Sequence, residues 1–170
     1  DRLIVDEGHH LEDAATQHLG VTVSRRGVTR LLSRLERRGK GLLSTLLMRF
    51  SGNQSAINSA SFDLVEEKLV PATQAARRLS ENVFDILASH LREVSEGGAT
   101  IRITGEFAKH EVWRNGLDVS LNDLVQEVNL LAESLERIRE RLTSTETGEE
   151  DLPIIAELRA VARRLTGAGD

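Results

Sequence analysis

The chain has 170 residues, 39% of them hydrophobic, which suits one domain with a core of ordinary size. Aromatics are only 3% and cysteine is absent, so the core must come from Leu, Val, Ile and Ala, and disulfides, cysteine zinc sites and cysteine-ligated clusters are excluded within it. The net charge of −5 does not advertise a nucleic-acid binder, but it averages over unlike segments.

The chain opens with an apolar run, Leu3-Ile4-Val5, that ends abruptly in Asp6 and Glu7. Such a run reads as a buried parallel strand delivering acids to the carboxyl edge of a sheet, where α/β folds bind ligands. Leu11 to Leu19 then reads as a short helix closed by Gly20, and Ser24 as the cap of a helix running to about Arg38. Arg26, Arg30, Arg34 and either Arg37 or Arg38 recur at three- and four-residue steps, which places them along one face. Between Ser24 and Lys40 seven Lys/Arg face one acid, a net +6 that leaves −11 on the rest of the chain. A stripe of this kind fits phosphates along a single strand. It equally fits a solvated helix face, since no aromatic residue lies within it to stack a base.

Gly39-Lys40-Gly41 breaks that helix, and Leu42 to Phe50 resumes it before the polar loop at 51–55. From about Ser61 to Glu96 the spacing predicts a long helix with a seam of Ala72, Ala76, Leu79, Val83, Ile86 and His90. Pro71 should kink it or mark a junction near Val70. His90 fits a helix interface better than a metal ligand, and His110-Glu111 has no second histidine at ligand spacing. Residues 99–104 alternate polar and β-branched side chains, the pattern of one short extended segment. Trp113, the sole tryptophan, is read as a buried anchor, with base stacking as the alternative. Ser120 reads as the cap of a second long helix ending near Leu142, with Leu121, Leu124, Val128, Leu131, Leu135, Ile138 and Leu142 in steps of three and four. After a turn at 143–148, Pro153 opens a last helix with Ile154, Leu158, Val161 and Leu165 on its seam. The expected fold is therefore mainly all-α, an antiparallel bundle of long helices with one short extended segment and a lone strand at the start. The last two helices are expected to be antiparallel neighbours packed on the helix of residues 61–96. No apolar run of membrane-spanning length appears, so no membrane partner is expected and the expected location is cytoplasmic.

Asp6-Glu7-Gly8-His9, with Leu3-Ile4-Val5 before it and His10-Leu11-Glu12-Asp13-Ala14-Ala15-Thr16 after it, resembles the DEAH box, the Walker B element of superfamily 2 helicases. More narrowly it resembles the DinG/XPD group of DNA helicases, from which it departs in having Gly8 where Ala is usual. An extended Arg-hydrophobic-Thr segment at 102–104 followed by Trp113 is similar to that group's arch domain, a helical insertion directly after the DEAH box. The resemblance implies that residues 1–13 are the Walker B remnant of a motor domain and that 14–170 are the arch. It implies an ATP-dependent parent that moves 5′ to 3′ on single-stranded DNA. In that parent Asp6 would serve Mg²⁺, Glu7 the attacking water, and His9 the coupling of nucleotide to movement. Arg26, Arg30, Arg34, Arg37 and Arg38 would border the DNA path, and the parent's own motor domains would be the other partner. ATP and Mg²⁺ belong to the intact parent, with no cofactor expected in this chain by itself. A stand-alone helical module for protein interaction or dimerisation is the alternative, since heptad seams specify packing without specifying purpose.

The 170 residues contain no G-x-x-x-x-G-K-[ST] loop to cradle the β- and γ-phosphates. Without that positioning, phosphoryl transfer loses most of its catalysis. Phosphate release from Mg·ATP by this chain is therefore expected to stay at the buffer background in a coupled assay, and Mg·ATP is expected to leave its melting temperature unchanged.

Overall fold

The computed structural model describes residues 22–52, 55–94, 105–144 and 148–169, and these are almost entirely helical. The run Leu3-Ile4-Val5, the triad Asp6, Glu7 and His9, the short helix at 11–19 and the extended segment at 99–104 lie outside the described residues. The described helices are α1 (Arg25–Leu35), α2 (Leu42–Ser51), α3 (Ala56–Asp63), α4 (Val70–Val94), α5 (Asp118–Ser144) and α6 (Leu152–Gly169). Together they form the expected all-α bundle. Among the described residues no helix is long and apolar enough to cross a membrane.

Ser24 caps α1 as expected: its backbone is extended and its Oγ accepts from the Gly27 N–H at 3.1 Å. The helix stops at Leu35 rather than Arg38, because the chain folds back on itself. Arg37 and Lys40 exchange backbone hydrogen bonds of 2.7 and 3.1 Å across a tight turn. Gly41 then passes directly against the end of α1, at φ 117°. A Cβ there would lie 2.7 Å from the Leu35 carbonyl oxygen and 2.8 Å from that of Arg34, so only glycine fits.

The first long helix starts at Ala56, earlier than the expected Ser61, with Ser55 Oγ accepting from Asn58 N–H at 3.2 Å as its cap. Residues Leu64–Leu69 widen to a π-helix and α geometry resumes at Val70. The ring of Pro71 cannot donate to the turn before it, and the wide turn lies where that defect falls. This change of pitch is the junction expected near Val70. Ser120, by contrast, is not a cap. A wide turn, Trp113–Leu117, precedes α5 and kinks at Gly116 (φ 146°), after which Asp118 takes the first position, favourable at the positive end of a helix. Ser120 sits inside the helix, buried, and its hydroxyl accepts from Asn82 Nδ2 on α4 at 3.0 Å.

At 27 residues α5 is about 40 Å long and is the middle helix of the bundle. It runs antiparallel to the rod of residues 56–94, since Asn82 meets Ser120 at one end and Arg141 Nη1 meets Ser61 Oγ at 3.1 Å at the other. On its other side lies α6, with Leu158, Val161 and Leu165 buried. α6 makes its main contacts with α5 and lighter ones with α1 and α2, so it sits across α5 from the rod rather than on it. Leu131, Leu135 and Ile138 of α5 are wholly buried, each contributing roughly 1.5–3 kcal/mol by leaving water.

A charged link also crosses between α2 and the turn before α6. Arg49 at the end of α2 donates from Nε to Asp151 Oδ1 at 2.7 Å and from Nη2 to Oδ2 at 2.9 Å. Asp151 is 2% exposed and Arg49 31%, so the pair is largely withdrawn from water. The hydrogen bonds from Arg49 hold the Asp151 carboxyl below its ordinary range, against the opposing effect of burial. A carboxyl with a depressed folded pKa contributes stability that is complete above its unfolded pKa and is lost as pH falls through the folded one. Asp151→Asn is expected to cost about 2–3 kcal/mol at neutral pH in urea unfolding, since it leaves Arg49 half-paired. That difference from wild type should shrink as the pH is lowered below about 4.

Candidate nucleic-acid interface

α1 packs on the bundle through Leu32 and Leu35 and leaves its arginines outside. Beside it opens a groove of about 750 Å³ lined by Arg25, Arg26, Thr29, Arg30, Ser33, Arg37, Arg38 and Arg77. Among the described residues six guanidinium groups and two hydroxyls line this groove, and no carboxylate does.

The six arginines divide into two sets. Arg25 donates to Asp85 Oδ1 at 2.5 Å and lies 5.7 Å above the ring of Phe84, which ties α1 to α4. Arg77 reaches over from α4 to the end of α1. Its Nη2 donates to the Glu36 carbonyl at 2.7 Å and lies 3.5 Å from that of Leu32, and its Nη1 stands 3.8 Å from Glu36 Oε2. A cation on the unsatisfied carbonyls of a helix end is favourable for both hydrogen bonding and the helix dipole. These two residues are structural. Among the described residues no side chain pairs with Arg26, Arg30, Arg37 or Arg38, which leaves four cations facing the groove.

The structure thus brings together four of the five arginines expected to border the DNA path and separates the fifth. Arg34 lines a different hollow, with Arg30 and Arg164, and its Nη2 pairs with Glu157 Oε1 on α6 at 3.3 Å. Arg77, absent from the sequence reading, joins the groove from a helix far along the chain. Asp6, Glu7 and His9 are outside the described residues, and among the described residues no group of three or more His, Asp or Glu could hold a metal.

A second groove, about 710 Å³, runs between α5 and α6, but Glu133 and Glu136 line it beside Arg139, Arg159 and Arg163. Arg139 bonds Glu136 at 2.6 Å and holds its carboxyl below the ordinary range, helped more weakly by Arg159 and Arg163. Acids therefore offset much of its positive charge, and the α1 groove is the better anion site.

Half-buried Trp113 and its neighbours form an aromatic clasp. Buried His90 of α4 lies 4.6 Å from the His110 ring and 5.7 Å from Phe107 by ring centroid, and Phe107 stacks on His110 and meets Trp113 edge-on at 6.1 Å. This fastens residues 107–113 to α4. His90 is the interface histidine that its seam position suggested.

Fold and groove together define a helical bundle with an arginine-lined groove on the first of its described helices. No protein-family model, curated protein or solved structure matches the chain.

Proposed function

We propose that this chain is the arch-type helical domain of an ATP-dependent DNA helicase resembling the DinG/XPD group, and that the α1 groove borders its single-stranded DNA. The observation that carries the reading is the convergence of Arg26, Arg30, Arg37 and Arg38 on one groove with no carboxylate among its described lining residues. Each phosphate neutralised there releases a counterion, so binding should be salt-sensitive and indifferent to sequence. Among the described residues no aromatic lines the groove, so phosphate contact rather than base stacking would supply the affinity. The all-α fold agrees with an arch, and the residues around Asp6-Glu7-Gly8-His9 supply the link to that family. In the parent, Asp6, Glu7 and His9 would serve Mg²⁺ and ATP, and the motor domains would flank the arch. Arg34, paired with Glu157, is outside this role.

The alternative, a stand-alone interaction module, draws on a different feature. An apolar cavity of about 220 Å³ lies between α1, α4 and α5, lined by Val28, Leu31, Phe84, Leu87, Leu121 and Leu124 among others, with half-exposed Val23 at its edge.

Fluorescence anisotropy with a labelled single-stranded oligonucleotide separates the two readings. Wild type is expected to bind weakly at low salt and to lose affinity steeply as salt rises. Replacing Arg26 and Arg30 together by Ala should weaken binding at least tenfold, whereas Arg34→Ala should change it less than twofold and cost at most about 1 kcal/mol of stability. No binding by wild type at low salt would reject the nucleic-acid reading and favour the interaction module.

A further inference from the structure

The turn that ends α1 is built in a way that its packing does not demand. Arg38 has φ 54° and Gly39 φ 72°, and Arg37 pairs with Lys40 on either side of them. Two central residues at positive φ are the pattern of a type I′ turn, where Asn-Gly is preferred because Asn adopts the left-handed region at lower cost than Arg. Arg38 is the only non-glycine residue at positive φ among the described residues. It is also exposed, so no burial explains its presence there.

The turn is braced from behind. Glu36 Oε1 accepts from the Gly39 N–H at 3.1 Å, while Arg77 holds the Glu36 carbonyl. Strain held by surrounding hydrogen bonds at an exposed cationic tip marks function. Resting on the reading that the groove takes single-stranded nucleic acid, we infer that this turn is its phosphate anchor: Arg38 is held in strain to grip one phosphate, and Glu36 is its positioning residue. Arg37 and Lys40 flank it with two more cations, so the turn presents its charge at the mouth of the groove and Arg26 and Arg30 continue it along α1.

The test uses Arg38→Asn, which restores the preferred turn pair and removes one cation. It is expected to keep or raise the melting temperature, by up to about 4 °C. At the same time it should weaken binding of a labelled oligothymidylate about fivefold or more and lower the slope of log affinity against log salt by about 0.7. Glu36→Ala makes the groove more positive by one charge, so electrostatics alone would tighten binding. The positioning role predicts weaker binding instead, and no further loss when Glu36→Ala is added to Arg38→Asn. If wild type binds and Arg38→Asn leaves affinity and salt slope unchanged, or if it lowers the melting temperature, the anchor is overturned while the groove reading stands. Tighter binding by Glu36→Ala overturns the positioning role. No binding by wild type overturns the anchor together with the groove.

Discussion

The bundle depends on α5 being buried from two directions. Leu131, Leu135 and Ile138 leave no room for water on either flank, so the rod of residues 56–94 and α6 must both lie against it. Once those three long helices are fixed, α1 and α2 close the same core with Leu32, Leu35, Leu43, Leu46 and Phe50. Few aromatics take part. Aliphatic seams at three- and four-residue spacing do the packing.

Because α1 is attached by only one narrow apolar edge, the rest of its circumference is available for charge. Its end is secured by polar means, with Arg77 on its last carbonyls and Arg25 on Asp85. Two arginines are thereby committed to holding the helix in place, and four others remain turned to the groove between α1 and α4. Burial of Leu32 and Leu35, bracing by Arg77 and the tight turn at 37–40 are successive links that lead from packing to a concentrated positive surface. The proposed DNA contact rests on that chain of causes, and the proposed tie to an ATP-hydrolysing motor rests separately on the resemblance carried by Asp6-Glu7-Gly8-His9.

Most of the helical architecture was legible because it is written in short-range periodicity. The seam from Leu121 to Leu142 and that from Ile154 to Leu165 both proved to face the core, with the ends near Leu121, Leu124 and Ile154 only partly covered. What could not be read were pairings between distant residues. Nothing local tells that Arg49 would meet Asp151, that Asn82 would claim Ser120, or that Arg77 would cap α1. Ser120 looked like a cap because a serine before a leucine-rich run usually is one, but a tertiary hydrogen bond offered it a place inside the helix. Arg34 stands apart from the other arginines of the stripe for a geometric reason. A step of four residues overshoots a helical turn by about 40°, so Arg34 stands about 80° around α1 from Arg26, and there it meets Glu157. The turn at 37–40 returns Arg37 and Arg38 to the groove, and the two glycines that flank Lys40 signalled the break without revealing where the chain would point next.

The most direct measurement is a two-dimensional amide NMR titration of this 18.8 kDa chain with a single-stranded oligonucleotide. If the groove beside α1 carries nucleic acid, the perturbed amides cluster between residues 24 and 41 and around Arg77, and the perturbations fade as salt is added. Perturbations concentrated between residues 129 and 166, in the groove of α5 and α6, or none at all at low salt, would contradict it.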